Sequence, residues 1–240
     1  MRIEIFDALD STNEEAKRRA SAGEEGPVWI VARARTAGRG RRGRAWTSQT
    51  GNLFTTGLFR VDAAPGRAAQ LSFAAALAVG DLAVSAVDRD QVRLKWPNDV
   101  LVEGRKVCGI LLESGAHPKG GLWLAAGIGV NLVSHPDDSE RPATNLAAHG
   151  RTFSVETAAD QIAQRFEHWR EVWARDGFAP IRQAWLARVW GLGERCTVRL
   201  QNETLEGVFA DLAEDGALRL DLNTGERRLV SAGDVFFPGR

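Results

Sequence analysis

A short segment of this chain, residues 36–46, constrains its fold most, because four arginines fall at positions 39, 41, 42 and 44. Guanidinium groups this close repel one another in a packed structure and therefore need a counter-charge. Glycines at 38, 40 and 43 let the backbone fold around one. β-rich runs flank the segment on both sides. We therefore predict an arginine loop, residues 36–46, that joins two strands and binds an anionic phosphate ligand.

A second segment, Lys95-Trp-Pro-Asn-Asp99, has a chemistry that complements the arginine loop. Pro97 fixes one backbone angle and restricts Trp96, so that Asn98 and Asp99 are held in a defined direction. An isolated match to this pattern is also typical of a simple β-turn with an exposed lysine. We interpret the segment as a rigid turn that brings a lysine, an amide and a carboxylate to the same site.

Lysine is rare in this chain and occurs only at positions 17, 95, 106 and 119. Lys106 follows a Glu-Gly-Arg turn and opens an apolar strand, so its ammonium can extend from a rigid base towards a developing negative charge. A lone lysine at the end of a hairpin is usually solvated. The position of Lys106 relative to Lys95 favours a role in the phosphate site.

The composition limits the classes of function. The chain has 240 residues, 44% of them apolar, and can bury a sizeable core in one large domain and one small one. Its 31 basic and 31 acidic residues give no global positive field for nucleic acid or anionic membrane. The longest apolar stretch is interrupted by Gly80 and Asp81, and the N-terminus has no apolar leader segment, so we expect a cytoplasmic protein without a membrane partner.

Periodicity and turn residues predict the elements. We expect strands at 2–6, 28–34, 52–60, 100–102, 106–113 and 122–132, and helices ending near 22 and spanning 67–87, 154–176 and 178–190. Residues 134–149 carry Pro, Asp, Ser and Asn without a clear period and are predicted to be a surface loop. Five short runs after residue 191 predict a small all-β barrel. The resulting domains are 1–190 and 191–240.

Five motifs together resemble biotin protein ligases in their order and spacing, and the small β-domain matches the SH3-like C-terminal domain of that family. The motifs are Ser11-Thr-Asn13, Thr36 to Trp46, Lys95 to Asp99, Gly104-Arg-Lys106 with Gly109-Ile-Leu, and Gly127 to Asn131. The resemblance implies an α+β fold with a mixed or antiparallel sheet flanked by helices, as in class II aminoacyl-tRNA synthetases, and a C-terminal SH3-like β-barrel.

The same resemblance implies an ATP-dependent enzyme with two steps. Biotin is activated as biotinyl-adenylate, and the biotinyl group is then transferred to a lysine of a biotin carboxyl carrier domain of acetyl-CoA carboxylase or a related carboxylase. Because two anions must meet in the first step, electrostatic stabilisation should matter more than proton transfer. Closure of residues 36–46 and 134–145 would keep water from the mixed anhydride.

The resemblance also implies site residues. Those that would bind biotin are Ser11, Thr12, Asn13, Arg35, Gly38, Arg39, Gly40, Arg41, Lys106, Gly109 and Gly127. Those that would bind ATP are Arg39, Arg41, Arg44, Trp46, Asn98, Asp99, Lys106 and Asn131, with Asp99 beside Mg²⁺. Lys106, Arg39 and Arg41 would be catalytic, and Lys106 would stabilise charge as pyrophosphate leaves. The Ser-Thr-Asn segment reads equally well as a helix cap.

Two residues depart from the family pattern. Arg35 stands where a glutamine is usual, and it has no acceptor with which to reproduce the paired contact of an amide. Cys108 stands where a small residue such as alanine is usual. We interpret Cys108 as a buried small side chain and not as a nucleophile, and its distance in sequence from Cys196 suggests neither a disulfide nor a zinc site.

Two other functions remain open at this point. Lipoyl or octanoyl transferases share the core fold, and an RNA-binding module would use the arginine cluster without ATP. Because the Ser-Thr-Asn motif begins at residue 11, we expect a ligase without a DNA-binding domain and without DNA as a partner. Strand edges are available for docking or dimerisation, and we expect a monomer or a homodimer.

Overall fold

A seven-stranded sheet forms the centre of the larger part of the molecule in the computed structural model, which describes residues 1–137 and 142–238. The strands are β1 (Arg2–Leu9), β2 (Val28–Arg35), β3 (Leu53–Val61), β4 (Val92–Lys95), β5 (Asp99–Val102), β6 (Arg105–Ala116) and β7 (Leu122–Val130). Their order is β1-β2-β3-β7-β6-β5-β4. β1 and β2 are parallel, and the other neighbours are antiparallel. The predicted mixed sheet is confirmed.

Helices cover both faces of this sheet. They are α1 (Thr12–Ser21), α2 (Pro65–Ala68), α3 (Leu71–Ala83), α4 (Val155–Asp176) and α5 (Ala179–Leu186). Helix α1 connects β1 to β2 and packs on β3 and β7. Helices α3, α4 and α5 contact one another and cover the opposite face of the sheet. Two helical layers with a sheet between them give the molecule two apolar interfaces.

A continuous apolar run at residues 28–32 of β2 explains why both faces of this strand are buried. Val28 and Ile30 pack with Ala16 of α1, while Trp29 and Val31 point into the larger core under α3 and α4. Ala16 and Ala20 are among the buried residues of α1, and their small side chains let the helix lie close to the strands. The first turn of α1 is thereby fixed against the sheet.

A second sheet follows α5. Its strands are β8 (Arg195–Arg199), β9 (Thr204–Leu212), β10 (Leu218–Leu222), β11 (Arg227–Val230) and β12 (Asp234–Phe236). They are antiparallel in the order β11-β10-β9-β8-β12. The five predicted strands are confirmed, and closure of this sheet into a barrel and the boundary at residue 191 stay predictions.

The predicted helix 67–87 was wrong in its extent. It begins as the short helix α2 and is interrupted before α3, because the amides of Gln70, Ser72 and Phe73 bond to carbonyls three residues back instead of four. The helix then ends at Ala83, and the Ser85 hydroxyl donates to the carbonyl of Leu82 at 2.6 Å.

The predicted helix 178–190 ends early as α5, at Leu186, for a different reason. Residues 188–190 run beside β4, where the amide of Leu94 donates to the carbonyl of Arg188 and the amide of Trp190 donates to the carbonyl of Leu94. β4 itself was missed, because its four residues carry too short a pattern. Within residues 1–137 and 142–238, no helix has the length and apolar character needed to cross a membrane.

Candidate functional site

A cavity of about 450 Å³ lies between the arginine loop, the start of α1 and strands β5 to β7. Of the site residues predicted from the sequence, those that line it are Thr12, Asn13, Arg35, Arg39, Gly40, Arg41, Arg44, Trp46, Asn98, Asp99, Lys106, Gly109, Gly127 and Asn131. Ser11 and Gly38 lie outside this lining set. The structure therefore brings together residues that are spread over 120 positions of the sequence.

Glycines on two neighbouring strands make room for the cavity. Gly109 of β6 faces Gly129 of β7 in the sheet register. A Cβ atom at Gly109 would lie 2.5 Å from Trp46 Cζ3, and one at Gly129 would lie 2.9 Å from Trp46 Cε2. Both distances are below any real Cβ contact, so the indole of Trp46 rests on backbone that only glycine provides. The motif from Gly127 to Asn131 was predicted to contribute to the site, and both Gly127 and Gly129 line the cavity.

The first turn of α1 forms one end of the cavity through a network of hydrogen bonds. The Asn13 amide donates to the Leu111 carbonyl at 3.2 Å and to Glu113 Oε2 at 2.7 Å. Its oxygen lies 2.6 Å from the hydroxyl of Thr56, which also lies 2.8 Å from that of Thr12. These buried groups fix the Asn13 side chain against the sheet. Thr56 was missed, because a single threonine in an apolar strand has no motif.

The Ser-Thr-Asn segment begins helix α1, as its interpretation as a helix cap predicted. Ser11 occupies the N-cap position of α1 and is buried, but its side chain makes no capping hydrogen bond. Asp10 Oδ1 instead accepts from the Ser11 amide at 2.7 Å. Gly127 explains the tight fit nearby, since a Cβ atom there would overlap the side chain of Asn13.

The arginine loop folds back on itself and contacts α1, β6 and the rigid turn. The amide of Trp46 donates to the Gly38 carbonyl at 2.9 Å, which closes the loop into a narrow turn. Arg39 forms an ion pair with Glu14 of α1 and lies 3.5 Å from Glu113 Oε1 of β6. Arg41 donates to Asn98 Oδ1 at 3.0 Å and so joins the loop to the rigid turn.

Asp234 of β12 holds the other end of the arginine loop. Its carboxylate lies 3.0 Å from Arg44 Nη2, 3.4 Å from Arg42 Nη1 and 4.0 Å from Arg41 Nη1. Arg41 also donates to the carbonyl of Gly233 at 3.1 Å. The counter-charge that the sequence assigned to a ligand is thus supplied in this structure by a side chain of the second sheet. Asp234 was missed because it lies 190 residues from Arg44 in a stretch without a recognisable motif.

Lys106 and Asp99 form an ion pair at the wall of the cavity, with Nζ 2.6 Å from Oδ1. Asp99 is 3% exposed. A Cβ atom at Gly109 would lie 3.3 Å from Lys106 Nζ, so the ammonium stands directly above this glycine. The same ammonium lies 5.2 Å from the centre of the Trp46 ring. A cation is therefore held between the floor of the cavity and the loop that covers it.

The rest of the rigid turn divides between the site and the core. Trp96 is buried and donates from Nε1 to the Gly216 carbonyl at 3.1 Å, as expected of a residue that packs the turn. Asn98 donates to the Ile110 carbonyl at 2.6 Å and thereby presents its oxygen to Arg41. Lys95 is not among the lining residues, and its ammonium lies 5.9 Å from the ring of Phe237.

Two of the cationic side chains in the cavity are strongly desolvated. Burial lowers the pKa of Arg35 to about 10, which leaves it positively charged at neutral pH. Its guanidinium stacks 4.2 Å from the centre of the Phe54 ring and donates to Ser48 Oγ at 3.1 Å. Burial also lowers the pKa of Arg41, an effect that the nearby carboxylates of Asp234 and Asp99 oppose. A bound anion or hydrogen-bond acceptor would therefore offset the desolvation cost of both guanidinium groups.

Asn131 and Cys108 have supporting positions. Asn131 is buried, and its amide donates to the Thr144 carbonyl at 3.0 Å, which ties β7 to the described end of the predicted surface loop. Residues 138–141 of that loop lie outside the described residues. Cys108 is fully buried, and this burial raises the pKa of its thiol far above the usual range. A thiol that stays neutral at pH 7 agrees with a packing role.

The donor set does not form a protein cage for a metal ion. Across the described ranges 1–137 and 142–238, no three His, Cys, Asp or Glu side chains cluster in a way that could hold one. Asp99 contributes one carboxylate beside the Asn98 amide, and the other carboxylate in the lining, that of Asp234, is paired with arginines. Such a set suits a cation that is held mainly by the phosphates of a substrate.

Comparison with known proteins agrees with this geometry. Residues 5–132 match the Biotin/lipoate A/B protein ligase family, and residues 191–237 match the Biotin protein ligase C terminal domain. A biotin--[acetyl-CoA-carboxylase] ligase of Paracoccus denitrificans is 41% identical over 237 residues, which cover 96% of this chain and 98% of that protein.

Two solved structures are similar in fold. Biotin protein ligase from Aquifex aeolicus in complex with biotin and ATP superposes with a TM-score of 0.81 at 23% identity, covering 98% of this chain and 99% of that one. Biotin protein ligase from Leishmania major in complex with biotinyl-5-AMP gives a TM-score of 0.67 at 25% identity, covering 96% and 99%.

Proposed function

This chain belongs to the biotin/lipoate A/B protein ligase family, and from that premise we propose that it is an ATP-dependent biotin protein ligase. The observation that carries the proposal is the position of the Lys106 ammonium above Gly109, beneath a loop of arginines and beside the first turn of α1. This arrangement offers cations for phosphate and hydrogen-bonding groups for a small polar ring in one cavity. Biotin and ATP are the proposed substrates.

In the proposed first step, a carboxylate oxygen of biotin attacks the α-phosphorus of ATP. The bond from that phosphorus to the pyrophosphate oxygen breaks, which yields biotinyl-adenylate and pyrophosphate. Lys106 and Arg41 would stabilise the negative charge that accumulates where the two anions meet, with Arg39 and Arg44 contributing from the loop. Their preorganisation by Asp99, Asn98 and the loop hydrogen bonds supports this role.

The polar end of the cavity is proposed to bind the ring of biotin. The ureido group of biotin has one carbonyl acceptor and two N–H donors. Thr12 and Asn13 line the cavity beside Gly127, which gives donors and acceptors next to bare backbone. Arg35 can donate to the ring carbonyl but cannot accept from its N–H groups. Trp46 and Asn131 are proposed to contact the nucleotide.

Mg²⁺ is proposed to enter with ATP. This ion usually keeps several waters and binds through one or two protein carboxylates together with substrate phosphates. Asp99 fits that pattern as one carboxylate at the wall of the cavity, next to Asn98. A bound Mg²⁺ would neutralise part of the phosphate charge.

In the proposed second step, the neutral amine of an acceptor lysine attacks the acyl carbon of the adenylate. The bond from this carbon to the phosphate oxygen breaks, AMP leaves, and the amine loses a proton to solvent. We propose a biotin carboxyl carrier domain of acetyl-CoA carboxylase or a related carboxylase as acceptor; the name of the Paracoccus relative specifies acetyl-CoA-carboxylase. The monomeric or homodimeric state, the cytoplasmic location and the lack of a DNA partner stay predictions from the sequence.

Exchange of labelled pyrophosphate into ATP tests the proposal and separates it from the alternatives. We expect exchange that depends on biotin and is absent with lipoate or octanoate. Exchange with lipoate or octanoate instead would assign the chain to the lipoyl and octanoyl branch. Well-folded protein that shows no exchange with any of the three acids, together with salt-dependent RNA binding, would contradict the ligase function.

A further inference from the structure

The carboxylate of Asp234 lies where the arginine loop would meet phosphate. Asp234 is 6% exposed, and it lines the same cavity as Arg41 and Arg44. Its two oxygens lie within 4.0 Å of guanidinium nitrogens of Arg41, Arg42 and Arg44. One carboxylate is therefore the shared anionic partner of three arginines, as one phosphate group would be.

The loop also needs this partner for its conformation. Arg42 has a φ of 56°, in the left-handed region that non-glycine residues seldom adopt. The strain at Arg42 persists only when neighbouring contacts fix the backbone, and its own side chain reaches Asp234 at 3.4 Å. The contact from Arg41 to the Gly233 carbonyl adds a second tie to the same turn before β12. Removal of the carboxylate would leave three arginines in mutual repulsion.

We propose that Asp234 is an internal counter-anion: it holds the arginine loop over the cavity and must yield its arginines when the polyphosphate of the nucleotide binds. Asp234 is thus a positioning residue, supplied by the second sheet, that opposes phosphate binding while it keeps the loop ordered. The identity of the incoming anion rests on the proposed function. The hold on the loop does not, because it depends only on contacts within the chain.

Competition of this kind has a definite sign. When a ligand must displace an internal partner, its apparent dissociation constant is the intrinsic one divided by the fraction of molecules in which that partner is disengaged. Removing the negative charge of Asp234 therefore tightens phosphate binding, although it loosens the loop. Because Arg42 and Arg44 are partly exposed, solvent screens each pair, and we expect an effect of about three- to tenfold in the dissociation constant.

The test compares the full chain with Asp234→Asn, which keeps the size of the side chain, and with Asp221→Asn as control. Asp221 pairs with Arg227 within the second sheet, away from the loop. Calorimetry measures binding of inorganic pyrophosphate and of ATP, and limited trypsin digestion with mass spectrometry measures cleavage after residues 41, 42 and 44. We expect Asp234→Asn to bind pyrophosphate about three- to tenfold more tightly and to be cleaved faster at these arginines.

Equal or weaker pyrophosphate binding by Asp234→Asn would overturn the proposal that Asp234 competes with phosphate for the arginines. Unchanged cleavage would overturn the proposal that Asp234 orders the loop. A melting temperature equal to that of Asp221→Asn excludes general unfolding as the cause of faster cleavage. If the native chain binds neither pyrophosphate nor ATP, the proposed function and the proposed competition between Asp234 and phosphate fail together. The digestion still decides whether Asp234 orders the loop.

Discussion

The ammonium of Lys106 lies 2.6 Å from Asp99 Oδ1, so the main cation proposed for catalysis and the carboxylate proposed for Mg²⁺ are partners in one ion pair. Sequence separation alone did not suggest this contact. β5 and β6 form a hairpin whose register sets Asp99 opposite Gly109, and Lys106 reaches back over that glycine. The pair therefore couples the electrostatics of the cavity to the stability of the hairpin.

This coupling predicts different effects on stability and on activity. Lys106→Ala removes the lysine partner of a buried carboxylate and should lower the free energy of unfolding by about 1–2 kcal/mol. This loss is smaller than for a fully buried ion pair, because the lysine is partly exposed. Adding Asp99→Asn should restore part of this loss. Pyrophosphate exchange should stay at least about a hundredfold reduced in both variants. Urea unfolding and exchange rates measured on the same samples check this, and recovery of exchange in the double variant would contradict a direct role for Lys106.

Gly109→Ala should displace Trp46, which is proposed to contact the nucleotide, without unfolding the protein. The added Cβ would lie 2.5 Å from Trp46, which belongs to a loop and can shift. We expect the KM for ATP to rise at least about tenfold, with a melting temperature close to that of the native chain. Gly66→Ala is the matched control, since its Cβ would have no atom within 4 Å. Equal KM values for the two variants would show that Trp46 has no part in nucleotide binding.

Arg35→Gln should change the selectivity for the ring of biotin. The native guanidinium is a half-buried cation that only donates hydrogen bonds. It should repel 2-iminobiotin, an analogue whose ring is positively charged at neutral pH. We expect Arg35→Gln to improve binding of 2-iminobiotin relative to biotin by about tenfold, measured by calorimetry. Arg33→Gln, an exposed position on the same strand that pairs with Glu156, should leave the ratio unchanged.

Cys108 should affect stability at high pH and leave catalysis unchanged. Burial raises the pKa of its thiol in the native state, whereas an unfolded thiol has a pKa of about 8.5. The unfolded chain therefore binds fewer protons above that pH, and native stability falls as the pH rises. Between pH 8.5 and 9.5 in reducing buffer, the free energy of unfolding should fall by about 1 kcal/mol more for the native chain than for Cys108→Ala. Pyrophosphate exchange by Cys108→Ala should remain within about twofold of native, and a loss beyond tenfold would assign the thiol a role in the reaction.

Much of the fold and of the cavity lining could be predicted from the sequence, because the motifs are local. Turn residues mark the arginine loop and the segment from Lys95 to Asp99, and apolar runs mark β2 and β6. Both kinds of signal depend on neighbours in the chain. The contacts that were missed join distant segments. Thr56 of β3 contacts Asn13 of α1, and Asp234 of β12 contacts Arg44 of the arginine loop. Such pairs depend on topology and on the approach of whole elements, for which one sequence carries no periodic signal.

Formation of biotinyl-adenylate tests the central claim most directly. Purified chain is mixed with biotin, ATP and Mg²⁺, the low-molecular-weight products are separated under conditions that preserve the anhydride, and the adenylate is quantified by mass spectrometry. The native chain and Lys119→Ala, which alters an exposed lysine paired with Glu25, should both form it. Lys106→Ala should form at least about a hundredfold less. Adenylate formation at the native rate by Lys106→Ala, or none by the native chain, would contradict this account of the cavity.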